Sequence, residues 1–217
     1  MKRFQILAHR GWHLNSAEKN TRISIERALD AGFGIETDLR DCNQRIVISH
    51  DPPIDNPDLL SMDWLLGYAA KTSAPGKIAL NIKSDGLAPM INAYLEKHKY
   101  RRDNVYAFDM SVPDALHYIR SDISTYSRLS EYEKTPSYRD IMSGVWIDSF
   151  LGVFPQIMHA NDLIQQGVNV TVVSPELHGR CQDALWCELK QARLHRSPLL
   201  QICTDLPDKA DAFFSDT

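Results

Sequence analysis

This 217-residue sequence has few cysteines, no long apolar run and no large excess of charge of either sign. Its four cysteines, Cys42, Cys181, Cys187 and Cys203, form no CxxC pair and are too few to cross-link a domain of this length. We therefore expect buried, reduced thiols and a cytoplasmic protein, and we do not expect a disulfide scaffold, a redox motif or a cysteine-bound metal.

No apolar segment approaches the roughly 18 residues that a membrane-spanning helix needs. The basic start, MKRFQILAHRG, runs into His9 and Arg10 without a small-residue cleavage site, so we expect mature protein from the first residue and no stable membrane association. A formal charge of -4 offers no broad attraction to nucleic acid. A small-molecule partner is favoured, and the sequence leaves the oligomeric state open.

Strand-like and helical patterns alternate along the chain. The strand-like runs cover residues 4–9, 34–39, 77–83, 105–110, 123–128, 144–150, 169–174 and 199–204. Segments with apolar residues at three- and four-residue spacing lie between them, and the stretch 45–50 extends the second strand or forms a hairpin arm. Eight alternations predict a (β/α)8 TIM barrel, with residues 1–217 as one compact domain. A doubly wound open sheet is the alternative.

Polar side chains fall late in the predicted strands or just beyond them. The set comprises His9, Arg10, Glu36, Asp38, His50, Asp51, Asn81, Lys83, Asp109, Arg128, Asp148, Glu176 and Asp205. A TIM barrel places its active site at the carboxyl ends of the strands. This placement therefore predicts one site at the barrel mouth.

Two carboxylates share one face of the second strand in the segment GIETDLR. Side chains alternate along a strand, so Glu36, Asp38 and Arg40 point one way. A solvated edge strand accommodates such a pattern. In a barrel mouth the two carboxylates repel each other unless a hard divalent cation binds between them.

The motifs AHRG, EKNT, ETD and SHD, together with LNIK and the closing TDLP, resemble those of the glycerophosphodiester phosphodiesterases. They run from residue 8 to about residue 208, nearly the whole chain. The first fifty residues are highly specific to that family, whereas the middle of the chain is not. The resemblance implies a metal-dependent phosphoric diester hydrolase that acts on a small, soluble, glycerophosphodiester-like substrate.

Site roles follow from the resemblance and from the chemistry of the residues. Glu36, Asp38 and Asn81 are predicted to bind Mg²⁺ or Ca²⁺. His9 and His50 are predicted to act as general acid and base, in an order that the sequence does not assign. Substrate-binding residues are predicted to be Arg10, Lys83, Arg128 and Trp146. The alternative for Arg10 and Lys83 is a structural ion pair with Glu36 or Asp38.

The sequence departs from the family pattern at two informative places. Asn81 stands where the family has a third acidic metal ligand, so the site loses one negative charge, which Asp109 or Asp148 could replace. Lys19 separates Glu18 from Asn20, which are adjacent in the family, and leaves open which of those two faces the substrate. Two alternatives remain: a non-catalytic barrel that binds a phosphorylated or sugar ligand, and a phospholipase-like enzyme acting on a lipid headgroup.

Overall fold

The computed structural model describes residues 4–72, 76–138 and 140–215. Its strands are β1 (Gln5–His9), β2 (Gly34–Cys42), β3 (Arg45–Ile48), β4 (Ile78–Ile82), β5 (Val105–Phe108), β6 (Tyr126–Leu129), β7 (Gly144–Ile147), β8 (Asn169–Val173) and β9 (Leu200–Thr204). Its α-helices are α1 (Arg22–Asp30), α2 (Met62–Ala69), α3 (Ala88–Lys97), α4 (Val112–Arg120), α5 (Gln156–Gln165), α6 (Asp183–Gln191) and α7 (Pro207–Phe214).

Eight of these strands run parallel, in the order β5-β4-β2-β1-β9-β8-β7-β6. A parallel bridge between Ala107 and Thr125 joins the two ends of this path, so the sheet closes nearly into a barrel. β3 pairs antiparallel with β2 and forms the hairpin arm that the sequence allowed. The predicted TIM barrel is confirmed, and an open doubly wound sheet is excluded.

Local sequence explains several helix starts. The side chains of Thr21, Ser61 and Ser111 accept hydrogen bonds from backbone amides in the first turns of α1, α2 and α4. Pro155 precedes α5, and Gly167 follows that helix with a φ of 79°. Both α4 and α5 therefore begin where the local sequence favours a helix start.

One expected helix is missing. The described residues between β6 and β7 form turns and bends, with no helix among 130–138 and 140–143. This stretch contains Pro136, and its polar residues offer no apolar stripe at three- or four-residue spacing. The alternation of strand and helix therefore breaks at this connection.

Two apolar cores surround the strands. The larger lies between the sheet and the helices, and the smaller fills the barrel interior. Within the interior, Tyr106 stacks on Tyr126 with ring centroids 3.8 Å apart, and Phe108 stacks on Trp146 at 4.0 Å. These stacked rings form part of the apolar packing inside the barrel.

The expectation for the thiols is half right. All four cysteines are free, and Cys42 and Cys203 are buried. Cys181 and Cys187 are exposed, contrary to the expectation, because they lie just before α6 and on its outer face, away from the interior packing.

Candidate active site

The predicted metal ligands and one predicted catalytic histidine lie together at the carboxyl ends of neighbouring strands. His9 of β1 pairs with Glu36 of β2, and Asp38 of β2 pairs with Asn81 of β4. In-register parallel pairing aligns side chains on the same face of the sheet. The second-strand carboxylates therefore face the barrel mouth, and the solvated-edge explanation is wrong, since Glu36 and Asp38 are 2% and 0% exposed.

Asp38 is surrounded by groups that compensate its charge. The Arg10 Nε atom lies 2.8 Å from Oδ2, and the Lys83 ammonium lies 3.4 Å from Oδ1. The Asn20 side-chain amide also donates to Oδ2 at 2.9 Å. The ion pairs weighed for Arg10 and Lys83 in the sequence are thus present, and both cations are held at the mouth.

The turn after β1 brings Arg10 into this position. Its backbone amide donates to the Glu36 carbonyl at 2.8 Å, and Arg10 and Gly11 have φ values of 56° and 82°. A Cβ at Gly11 would lie 2.6 Å from Ser24 Oγ and 2.7 Å from the Ser24 backbone carbon. Glycine is needed because the left-handed turn packs directly against the backbone of α1.

Glu36 is held by neutral donors and by a nearby imidazole. The Asn81 side-chain amide donates to Oε1 at 3.0 Å, and the Arg10 backbone amide donates to Oε2 at 3.3 Å. The His9 Nε2 atom lies 3.9 Å from Oε2. Burial raises the pKa of Glu36, against the lowering effect of the His9 charge.

Two buried oxygens beside these groups accept no hydrogen bond from the described residues, although the Lys83 ammonium lies 3.4 Å from one of them, Asp38 Oδ1. They are Asn81 Oδ1 and Asp38 Oδ1, which come from paired positions of β4 and β2. Buried acceptors normally accept hydrogen bonds, so two oxygens that accept none, next to the buried Glu36 carboxylate, fit a hard cation with oxygen ligands. Glu36, Asp38 and Asn81 therefore suit the predicted divalent ion. Asp109 and Asp148, which could have replaced the third acidic ligand, do not join this group. Asp109 pairs with Arg128, and Asp148 pairs with His178.

Asp205 was placed at a strand end by the sequence but was given no role. Its Oδ1 atom lies 2.6 Å from His9 Nδ1 and 3.1 Å from His13 Nε2, and its Oδ2 atom accepts from the Lys19 ammonium at 3.0 Å. In the described ranges, His9, His13 and Asp205 are the one group of three His, Cys, Asp or Glu side chains whose ligand atoms all lie within 4.8 Å of one another. Both imidazoles lie within hydrogen-bonding distance of the Asp205 carboxylate, and the Lys19 ammonium lies beside it. The group is therefore a hydrogen-bonded cluster.

His50 occupies a more open position than His9. Its imidazole Nδ1 lies 2.8 Å from Asp51 Oδ1, with side-chain exposures of 49% and 88%. The Ser49 amide donates to the Asp38 carbonyl at 3.0 Å, which anchors the chain just before His50 beside the second strand. His50 is therefore a solvent-accessible imidazole at the end of the hairpin arm.

The interrupted Glu-Asn motif is resolved by the fold. The Asn20 side chain accepts from the Thr37 hydroxyl at 2.9 Å and donates to Asp38, so Asn20 faces the site. Glu18 turns away, accepting from the Leu14 amide at 3.0 Å and from Arg27 at 2.8 Å. The inserted Lys19 lies between them and extends to Asp205.

The two remaining predicted substrate-binding residues lie on the strands at the other side of the mouth. Arg128 forms an ion pair with Asp109 and lies 3.5 Å from Glu133. Trp146 is 4% exposed and stacks on Phe108, so it belongs to the interior packing. Arg128 is 24% exposed and remains accessible at the mouth.

Comparisons with known proteins reveal a shared fold. No protein-family model matches the chain, and no curated protein matches it. A glycerophosphodiester phosphodiesterase from Agrobacterium tumefaciens superposes with a TM-score of 0.69 at 17% identity, covering 96% of this chain and 99% of that one. A glycerophosphoryl diester phosphodiesterase from Parabacteroides distasonis gives 0.68 at 12% identity, covering 98% and 86%.

A third solved structure is that of a Ca²⁺-dependent phosphatidylinositol-specific phospholipase C from Streptomyces antibioticus. It superposes with a TM-score of 0.60 at 9% identity, covering 95% of each chain. The resemblance inferred from the motifs is thus confirmed at the level of the fold. Separately, none of the helices in the described residues has the length and apolar character needed to cross a bilayer.

Proposed function

We propose that this chain is a divergent member of the glycerophosphodiester phosphodiesterase family that hydrolyses a small phosphodiester with a divalent cation. One observation carries the proposal: the family-like residues His9, Glu36, Asp38 and Lys83 converge at one barrel mouth, together with Asn81. The predicted single-domain organisation and the cytoplasmic location belong to the same proposal.

Two imidazoles supply the proton transfers. In this mechanism one histidine of the pair His9 and His50 removes the proton from the attacking water or substrate hydroxyl. The other protonates the departing alkoxide as the phosphorus–oxygen bond breaks. Both rings have a carboxylate at Nδ1, Asp205 for His9 and Asp51 for His50, so each presents Nε2 for proton transfer.

The positively charged side chains at the mouth bind the phosphoryl group of the substrate. Arg10 and Lys83 can bind its oxygens, one as a planar fork and the other as a point charge, because both already lie beside Asp38. Glu36, Asp38 and Asn81 would hold the divalent cation, which when bound supplies Lewis-acid polarisation of a phosphoryl oxygen. Across the mouth, Arg128 is proposed to contact the alcohol portion of the substrate.

The test is hydrolysis of an aryl phosphodiester and of glycerophosphodiesters with Mg²⁺, Mn²⁺ or Ca²⁺, and again with a chelator. We expect metal-dependent turnover that falls about 10²- to 10⁴-fold in His9→Asn and in His50→Asn. The exposed His117 on α4 provides a matched control, because His117→Asn removes an imidazole outside the barrel. Ligand binding without turnover under every metal would overturn the proposal and favour the non-catalytic barrel.

A phospholipase-like activity is a second candidate, favoured by apolar side chains at the mouth. Large exposed apolar residues occur on the loops that follow β1, β3, β6 and β7, namely Leu14, Ile54, Tyr132, Leu151 and Val153. A rim of this kind suits contact with acyl chains. Turnover measured on one headgroup, presented either as a soluble diester or in mixed micelles, separates the two candidates, since only a lipid enzyme prefers the micelles.

A further inference from the structure

The Asp205 carboxylate accepts hydrogen bonds from three side chains. One stands at the end of β1, and the other two lie in the loop that follows it. His9 and His13 share Oδ1, and Lys19 takes Oδ2. Burial by itself would raise the pKa of Asp205, but hydrogen bonds from His13, His9 and Lys19, together with the His9 charge, hold that pKa well below its usual range. The carboxylate is therefore ionised throughout the working pH range.

Asp205 is also fixed from the side of its own strand. Its backbone amide donates to Glu176 Oε1 at 3.1 Å, and the Thr204 hydroxyl donates to the same oxygen. The Ser174 hydroxyl donates to Glu176 Oε2 at 2.5 Å and accepts from the Trp186 indole at 2.9 Å. This chain of contacts sets the backbone of Asp205 and leaves the rotation of its carboxylate to the donors on the other side.

An ionised carboxylate at Nδ1 determines which nitrogen of His9 carries the proton. The Nδ1–H donates to Asp205, so in the neutral ring Nε2 has a free lone pair. Nε2 is directed toward Glu36, 3.9 Å away, beyond hydrogen-bonding distance. Neither His13 nor Lys19 contacts the His9 ring in the described hydrogen bonds and ion pairs, so any influence they have on His9 passes through Asp205.

We propose that Lys19 and His13 are positioning residues, which clamp the Asp205 carboxylate so that His9 is held in the Nδ1–H form with Nε2 aimed into the mouth. The inference rests on the proposed function for its catalytic consequence. It assigns a role to Lys19, the residue that interrupts the Glu-Asn motif.

The test compares Lys19→Met with the conservative Lys19→Arg and with Lys209→Met, a charge removal on the exposed face of α7. NMR of protein labelled with ¹⁵N-histidine reports the His9 ring, assigned by its loss in His9→Asn. We expect a Nδ1–H that is protected from solvent exchange in the parent, in Lys19→Arg and in Lys209→Met. Lys19→Met and His13→Leu should lose that protection and populate the second tautomer.

Kinetics provide the second readout. Lys19→Met should lower kcat by about 10- to 100-fold, the range for groups that orient another ligand or base, with KM unchanged and with rescue by arginine. An unaltered His9 ring in Lys19→Met, or a rise in KM with kcat preserved, would overturn the clamp and make Lys19 a substrate contact. If the parent protein turns over no phosphodiester while the NMR differences appear, the proposed function fails and the clamp stands.

Discussion

The Asn81 side-chain amide donates to the buried Glu36 carboxylate across β4 and β2, with 3.0 Å between Nδ2 and Oε1. A neutral amide thus occupies the place of the third acidic ligand expected from the family pattern. It lowers the repulsion around Glu36 and leaves its own Oδ1 atom without a donor in the described residues. The charge of this group of side chains, and hence its affinity for a cation, depends on having asparagine and not an acidic residue at position 81.

Asn81→Asp should raise the affinity for Mg²⁺ or Ca²⁺ by about 10-fold, because ligand charge sets the affinity of such sites. Without a cation it should lower the melting temperature, because the new carboxylate repels Glu36 and no longer donates to it. Calorimetric titration and thermal unfolding measure both effects. Asn161→Asp makes the same exchange on α5, outside the barrel. Equal affinities for the parent and Asn81→Asp would exclude residue 81 as a ligand.

Lys83→Met should lower the free energy of unfolding by about 1–3 kcal/mol, because it leaves the fully buried Asp38 carboxylate with one cation fewer. Adding Asp38→Asn to that variant should recover most of the loss, since the uncompensated charge is then gone. Urea unfolding checks both variants. The exposed pair of Lys97 and Asp63 is the matched control, and Lys97→Met should change stability by less than about 1 kcal/mol. No recovery in the double variant would contradict this account of Asp38.

The Glu131 carboxylate binds the loop after β7. It accepts hydrogen bonds from the Ser149 hydroxyl at 2.8 Å and from the Phe150 and Leu151 backbone amides at 3.0 and 3.1 Å. Burial opposes ionisation, but a hydrogen bond from the backbone of Glu131 itself, together with those from residues 149–151, prevails and lowers the pKa of Glu131 to about 2 from 4.5. A lowered carboxyl pKa stabilises the fold above the unfolded value, and that stabilisation is lost as the pH falls from about 4.5 toward 2.

Glu131→Gln should therefore reduce stability at pH 7 by about 1–2 kcal/mol, and the difference from the parent should shrink below pH 4.5. Urea unfolding at a series of pH values provides the measurement. Glu188→Gln, an exposed exchange on α6, serves as the control. If the difference in the free energy of unfolding stays constant down to the lowest pH at which both proteins fold, the ionised Glu131 carboxylate is not the source of the stabilisation.

Arg128→Met should raise KM for the phosphodiester about 10-fold and change kcat by less than about 3-fold, if Arg128 binds the alcohol portion in ground state and transition state alike. Steady-state kinetics on the aryl and glycerol diesters measure the two constants separately. Arg101→Met removes an exposed guanidinium paired with Asp103 and should change neither. A fall in kcat as large as the fall in kcat/KM would instead place Arg128 in contact with the reacting phosphoryl group.

Local patterns in the sequence determined the strand positions, the barrel and the residues at its mouth. Glu36 and Asp38 were assigned to one face because strand side chains alternate, and the alternation of strands and helices follows from periodicity. Hydrophobic spacing and the caps at Thr21, Ser61 and Ser111 involve residues only a few positions apart, so they can be recognised from the sequence alone.

Only the tertiary structure decided which polar groups meet. His9 and Asp205 lie 196 positions apart, and they touch because β1 pairs with β9 where the barrel closes. The partners of Lys19 and Arg128 and the burial of Trp146 likewise depend on how distant segments pack. A side chain's neighbours across the sheet are set by strand order and register, which no local spacing encodes.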